Sequence, residues 1–256
     1  CLLHAAIRLV LPILPALAAS SPFVDGRASG QLDTRLVVYR NNAERIPSVG
    51  GRGIPEPVYS RAEYQELLRA IYRDLAPHDP DGTLQHEWIN ARGCIARFDR
   101  MALEIRLLDV QECPRMDLAV VQAATSAIRA LAEQTWLDLD ELQSFSIDEL
   151  EPTLRATVTS GERAIVHDTR FLRAFGLPSS SISAVDLWRH LLETHVAKTP
   201  HLGLAMNDLA TILEQGCLAR RILEAAGRDP SRERLAGVYR RLADCLRYGE
   251  AFSGHP

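Results

Sequence analysis

Two neighbouring stretches, Cys94–Phe98 and Leu103–Asp109, read as short strands whose successive side chains fall on opposite faces, apolar on one and charged at Arg97, Glu104 and Arg106 on the other. Alternation of this kind marks a strand with one buried face. In the second stretch Leu103, Ile105 and Leu107 point one way and Glu104 and Arg106 the other. In the first, Cys94, Ala96 and Phe98 share a face, opposite Ile95 and Arg97. Pairing the two as a hairpin with apolar faces matched brings Arg97 beside Glu104 and Arg106. Glu104 and Arg106, two residues apart, then have Cα atoms roughly 6.6 Å apart on one face.

Other patterns predict the rest of the chain. Ile7, Leu11, Leu14 and Leu17 at helical spacing predict a buried helix near 4–19, kinked or shortened by Pro12 and Pro15. A Gly-containing loop runs to Gln31, with Ser21-Pro22-Phe23 and Gly26 shaping the turn, and a strand is predicted near Leu32–Tyr39. The long Gly/Pro loop Asn41–Ser60 follows, a candidate lid or binding loop because of its length. A helix near 62–75, a turn at Asp79-Pro80-Asp81-Gly82 and a strand over Leu84–Ile89 precede the hairpin. From about Asp117 the chain reads as helical. Ser146 with Glu149 forms a capping box, Ser183 before Asp186 opens a helix over Val185–Val196, Gly227 stops a helix from about 205, and Asp229-Pro230 caps the next. Strands in one half and helices after them predict an α+β fold: a mixed region over 1–135 and a helical region over 136–256 packed on it.

The 256 residues carry 29 Lys plus Arg against 33 Asp plus Glu, a net charge of −4, which gives no reason to expect nucleic acid or another polyanion as partner. Five cysteines are scattered with no C-x-x-C, so a zinc site or disulfide framework is not indicated, and reduced thiols in the cytoplasm are expected. The first twenty residues are apolar, but His4 and Arg8 interrupt them, no basic start precedes them, and the uninterrupted run is too short for a membrane span.

One acid between two arginines on a sheet face suits a metal ion with an anionic substrate such as a nucleotide phosphate, or else a solvated cross-strand ion pair. The words around it add to this. The run ARFDRMALEIRLLDVQECPRMDLAVVQAATSAIRALAE (96–133) resembles the glutamate–cysteine ligase family in its carboxylate–amine ligase branch. So do IRLVLPILPALAASSPFVDGR (7–27), YRNNAERIPSVGGRGIPEPVYSRAEY (39–64) and LQHEWINARG (84–93), and the E-I-R-x-x-D-x-Q-E-C-P string is the most specific part.

The resemblance implies ATP-dependent amide formation. ATP phosphorylates a carboxylate, and an amine displaces phosphate from the acyl phosphate. It implies Mg2+ held by several carboxylates, with Glu104 as one metal ligand. Arg106, and Arg97 in the same cleft, would meet the phosphate or the substrate, and Arg35 would bind a substrate carboxylate. The implied partners are an amino-acid carboxylate, an amine and ATP. The implied fold is a glutamine-synthetase-like antiparallel sheet, of which this chain would carry a C-terminal part, since in that family the first helix lies well inside the protein. The sequence has no dense acidic cluster to complete the metal site. The competing reading is a non-catalytic α+β module whose Arg97–Glu104–Arg106 cluster binds an anionic metabolite. His86 and Glu87 are expected on opposite strand faces, Asp109 as a turn anchor, and Cys113 as a small buried hydrophobe, because that chemistry needs no cysteine nucleophile. His190 and His195 are five apart and off a single helix face, so no metal pair is expected there.

Overall fold

The apolar run at the start of the chain becomes the centre of the core. In this computed structural model, which describes residues 2–196 and 203–254, the run forms helix α1 (Leu2–Val10), a 3-10 turn (Leu11–Ile13) and helix α2 (Pro15–Ala18). Pro12 and Pro15 fall at the first two positions of new helical segments, where a missing N–H is tolerated. The prolines therefore divide the run without exposing it. His4 and Arg8 are buried with it. Arg8 donates from Nε to the Pro55 carbonyl at 2.8 Å and from Nη1 to the Tyr59 hydroxyl at 2.5 Å.

Around this centre pack α6 (Pro114–Ala132), α8 (Ile147–Ser160) and α10 (Ala184–Leu191), the other helices of these stretches being α5 (Arg61–Leu75), α7 (Leu139–Gln143) and α9 (Thr169–Arg173), and one apolar cluster reaches from Ala5 to Ile212. Ala119, Ala123 and Ala127 on α6 are buried, and their small side chains let α1 approach closely. Trp188 is fully buried in α10 and donates its indole N–H to the Ile13 carbonyl at 2.9 Å, so its polar end is satisfied. No helix of the described residues is long and apolar enough to cross a membrane.

The α+β class holds, with helix dominating. The described strands pair as three two-stranded antiparallel sheets: β1 (Phe23–Val24) with β2 (Arg27–Ala28), β3 (Cys94–Arg97) with β4 (Ala102–Ile105), and β5 (Ile165–Val166) with β6 (Ile182–Ser183). The β5–β6 pair lies in the half predicted as helical. β4 ends at Ile105, four residues before the alternating pattern does, because the chain beyond finds no further strand partner among the described residues.

Three expectations are corrected. Leu32–Tyr39 is not a strand: Asp33 caps helix α3 (Thr34–Asn41), its carboxylate accepting from the Leu36 N–H at 3.0 Å. The β-branched pair Val37-Val38 favoured a strand locally, but the cap and the burial of Leu36 decide the outcome. Leu84–Ile89 is likewise no strand. The Asp79 carboxylate holds the Leu84 N–H at 2.9 Å, extending the turn, and Glu87–Ile89 is a 3-10 turn. The cap expected at Asp229-Pro230 lies at Ser231, which accepts from Arg234 N–H at 3.1 Å and opens a helix over Arg232–Tyr248. Gly227 does stop a helix, Leu218–Ala226, but Gly216, at φ 90°, first ends another over Gly203–Gln215.

Candidate functional site

The hairpin forms in the register that the apolar faces require: Cys94 opposite Ile105, Ile95 opposite Glu104, Ala96 opposite Leu103 and Arg97 opposite Ala102. Its turn is a 3-10 bend over Phe98–Arg100 closed by Met101 in the left-handed region at φ 51°. Arg97 lies diagonal to Glu104 and donates from Nη1 to Oε2 at 2.9 Å. Arg106 donates from Nε to Oε1 at 2.8 Å. The predicted trio is assembled, and each Glu104 oxygen holds one arginine. Arg106 is fixed further by Nη1 bonds to the Trp88 and Asn90 carbonyls, both at 3.0 Å. Burial works to raise the Glu104 pKa, but the hydrogen bonds from Arg106 and Arg97 prevail and hold it below the ordinary range.

Two further acids complete the cluster, and the alternation gave no sign of them. Glu87 Oε2 and Asp99 Oδ1 lie 3.7 and 3.6 Å from Arg97 Nε. Glu87 also accepts the Phe98 N–H at 3.1 Å, and burial foremost pushes its pKa up. Both border a cavity of about 320 Å³, also lined by Tyr72, Gln85, His86, Trp88 and Arg97. His86 and Glu87, expected on opposite faces, thus line one cavity, because a 3-10 turn does not alternate as a strand does. The His86 and Trp88 rings stack with centroids 6.4 Å apart.

Among the described residues no three His, Cys, Asp or Glu side chains converge as a metal site, and Glu104 is engaged on both oxygens. His190 Nε2 lies 2.9 Å from the Phe175 carbonyl, and the side chain of His195 lies outside the described residues. The described cysteines are unpaired. Cys113 is fully buried, and burial pushes the Cys94 thiol up to about 12, so neither is a nucleophile.

Arg35 comes from helix α3 and not from a strand. Its Nε donates to Asp109 Oδ1, and its Nη1 lies 3.4 Å from the Arg106 carbonyl. Asp109 is the anchor expected. Its other oxygen accepts from Ser20 N–H at 3.0 Å and Ser21 hydroxyl at 2.8 Å, tying the exit of the hairpin to the turn after α2. Asp33 sits beside this knot, fully buried. Burial, then the charge of Asp109, pushes its pKa up to about 7.

The sign of the consequence follows from proton uptake. A carboxyl with an unfolded pKa of about 4 gains a proton on folding when its folded value is higher. Stability should therefore fall as pH rises from about 4 to about 7. Asp33→Asn keeps the helix cap and removes the charge, so that fall should be much shallower and the variant more stable than the parent at pH 8. Urea unfolding at pH 5 and pH 8 measures this, and an unchanged difference between the two pH values would clear Asp33.

The loop Asn41–Ser60 is a tethered segment. It contains a short helix, α4 (Pro47–Gly50), and Glu56 takes a two-pronged contact from the buried Arg92, with Nη2 to Oε1 at 2.6 Å. Gly51, at φ 53°, packs so closely that a Cβ there would lie 2.9 Å from the Arg92 guanidinium carbon. Glycine is required on both counts.

A model of glutamate–cysteine ligase family 2 matches residues 2–241. An uncharacterized protein of Archaeoglobus fulgidus is 31% identical over 250 residues, covering 98% of this chain and 60% of the relative. Two proteins named "Putative glutamate--cysteine ligase 2" are also similar. One, from a Bradyrhizobium species, is 31% identical over 65% of this chain and 34% of its own length. The other, from Bradyrhizobium diazoefficiens, is 28% identical over 86% of this chain and 47% of its own length. The chain thus spans between about a third and three fifths of these relatives.

Proposed function

The chain belongs to glutamate–cysteine ligase family 2, and from that membership we propose that it serves the ATP-driven joining of a carboxylate to an amine. In this reaction the γ-phosphoryl group of ATP passes to the carboxylate oxygen and ADP leaves. The amine nitrogen then attacks the acyl carbon, forms the C–N bond and expels phosphate. The support from the structure is one observation: Arg97 and Arg106, from the two strands of the hairpin, converge on Glu104 within the string that carries the family's most specific wording.

Each residue has a defined part in the proposal. Arg106 keeps Nη2 without a hydrogen bond among the described residues, and its other donors are held by Glu104 and two carbonyls, so one N–H pair is aimed and free. Such a preset donor suits charge developing on a phosphoryl or acyl oxygen. Arg97 borders the cavity and adds a second positive charge. Glu104 positions both arginines. As a metal ligand it would supply one carboxylate only, so we derive no step through Mg2+. Arg35, with its side chain 37% exposed, is the residue proposed to bind a substrate carboxylate. A place for the hairpin within a larger glutamine-synthetase-like sheet belongs to the same proposal.

The test is ADP release by the full-length protein given glutamate, cysteine and magnesium-ATP. Glu104→Gln should lower turnover by about a hundredfold. It should leave the melting temperature almost unchanged, since the Glu104 side chain is 37% exposed and an ion pair so placed adds little stability. Turnover close to the parent's would remove Glu104 from the site. ATP-independent binding of the acid without ADP release would favour the module that binds without catalysis.

A further inference from the structure

Away from the hairpin, three arginines meet over one buried carboxylate. Glu151 on α8 has a side chain only 6% exposed. It accepts from Arg40 Nη2 at 2.5 Å, from Arg155 Nη2 at 2.8 Å and from Arg52 Nε at 2.8 Å. The three come from separate elements: the last turn of α3, helix α8 itself and the glycine-flanked tip Gly51-Arg52-Gly53. Both glycines have positive φ, 53° and 85°. Gly53 packs on the Arg40 side chain, its would-be Cβ 3.5 Å from Arg40 Cδ. The backbone of the tip is thus shaped to carry Arg52 against its two fellows.

These groups wall an open cavity of about 590 Å³, completed by polar Gln31, Asn41 and Thr159. That volume is the size of a small-molecule site. Asp148 pairs with Arg52 outside the lining. With Asp148 counted, three guanidinium groups stand against two carboxylates, an excess of one positive charge. Donors remain in hand: Arg40 Nε and Nη1 and Arg155 Nη1 make no hydrogen bond among the described residues. The positive field is visible in Glu151, whose pKa burial would raise but which its arginines hold at about 2.

We infer that this cleft binds a small multivalent oxyanion, a phosphate-bearing or polycarboxylate molecule, in the fork of Arg40, Arg52 and Arg155. Planar guanidinium groups grip such oxygens in pairs, and Glu151 acts as the internal anion that the ligand displaces in part. The cleft does not depend on the hairpin, so the inference stands or falls apart from the proposed reaction.

Isothermal titration of the full-length protein with pyrophosphate and with citrate tests it. At least one should bind saturably at a single site, with affinity falling as salt rises. Pyrophosphate alone would assign a phosphate-bearing ligand, and citrate alone a polycarboxylate. Arg155→Gln removes an arginine whose side chain is 69% exposed, so it should leave folding intact. It should weaken binding by roughly tenfold or more. Glu151→Gln removes the competing charge and should strengthen binding, the reverse of what a purely structural ion-pair knot predicts. Arg106→Lys should leave the affinity unchanged. Absence of saturable binding by either anion, an Arg155→Gln protein that binds as the parent does, or a Glu151→Gln protein that folds but binds no more tightly would overturn the assignment.

Discussion

Glu112→Ala is expected to cost about 3–5 kcal/mol of stability, because it strands a buried cation. Glu112 and Arg221 are both entirely removed from solvent. Arg221 donates from Nη1 to Glu112 Oε1 at 2.5 Å and to the Phe252 carbonyl at 2.6 Å, and from Nε to the Gly216 carbonyl at 3.1 Å. Glu112 Oε1 also accepts the Phe252 N–H at 2.9 Å. One pair therefore ties the exit of the hairpin to the helix Leu218–Ala226 and to the C-terminal segment. Without Glu112, the guanidinium keeps two carbonyls but no counter-charge. In a chain of this length the loss lowers the melting temperature by roughly 10 °C. Glu112→Ala combined with Arg221→Met should recover part of the loss and no more, since the charge is gone but the Phe252 N–H and carbonyl still lack their side-chain partners. Calorimetry of the parent, single and double variants checks both statements. A single variant melting within a degree or two of the parent would show that the pair adds nothing net.

This pair explains what the sequence could and could not reveal. The string E-I-R-x-x-D-x-Q-E-C-P was legible as a unit, yet its two halves do different things. Glu104 and Arg106 alternate with apolar residues, and that period placed them on one face with Arg97. Asp109, Gln111, Glu112 and Cys113 follow no period because they are buried outside any strand, and the first three are held by residues far away along the chain. Asp109 is held by Ser20, Ser21 and Arg35, Gln111 by the Ala18 carbonyl at 2.8 Å, and Glu112 by Arg221, 109 positions along the chain. Nothing local marks such partners. The same limit hid the cavity beside the hairpin: Glu87 and Asp99 reach Arg97 through a 3-10 turn and a hairpin bend, neither of which has a readable alternation. Helix α3 was not legible for a related reason, since Val37 and Val38 carry a strand preference that the single cap at Asp33 overrides. The first helix was legible because its signal is collective. Two prolines, a histidine and an arginine did not move it to the surface.

Arg106→Lys should lower ATP-dependent ligation by about a hundredfold to a thousandfold, the scale seen when one donor to developing negative charge is lost. Charge is kept in this substitution, so the effect isolates geometry. The guanidinium of Arg106 is placed by three bonds on one side, Nε to Glu104 and Nη1 to the carbonyls of Trp88 and Asn90. Its planarity then fixes the direction of Nη2. A lysine ammonium has no such plane. It can satisfy Glu104 or reach toward substrate, but not both in one fixed orientation. The loss should fall on kcat more than on KM, because a donor set for charge that develops in the reaction contributes little to ground-state binding. The melting temperature should move by only a few degrees, since the backbone hydrogen bond from Arg106 N–H to the Gly93 carbonyl, at 2.8 Å, does not involve the side chain. Steady-state kinetics of the full-length variant, with glutamate and ATP varied separately, would separate the cases. A rise in KM for glutamate with kcat intact would recast Arg106 as a ground-state carboxylate binder. Unchanged kcat and KM would reduce the Arg97–Glu104–Arg106 trio to a cross-strand ion pair.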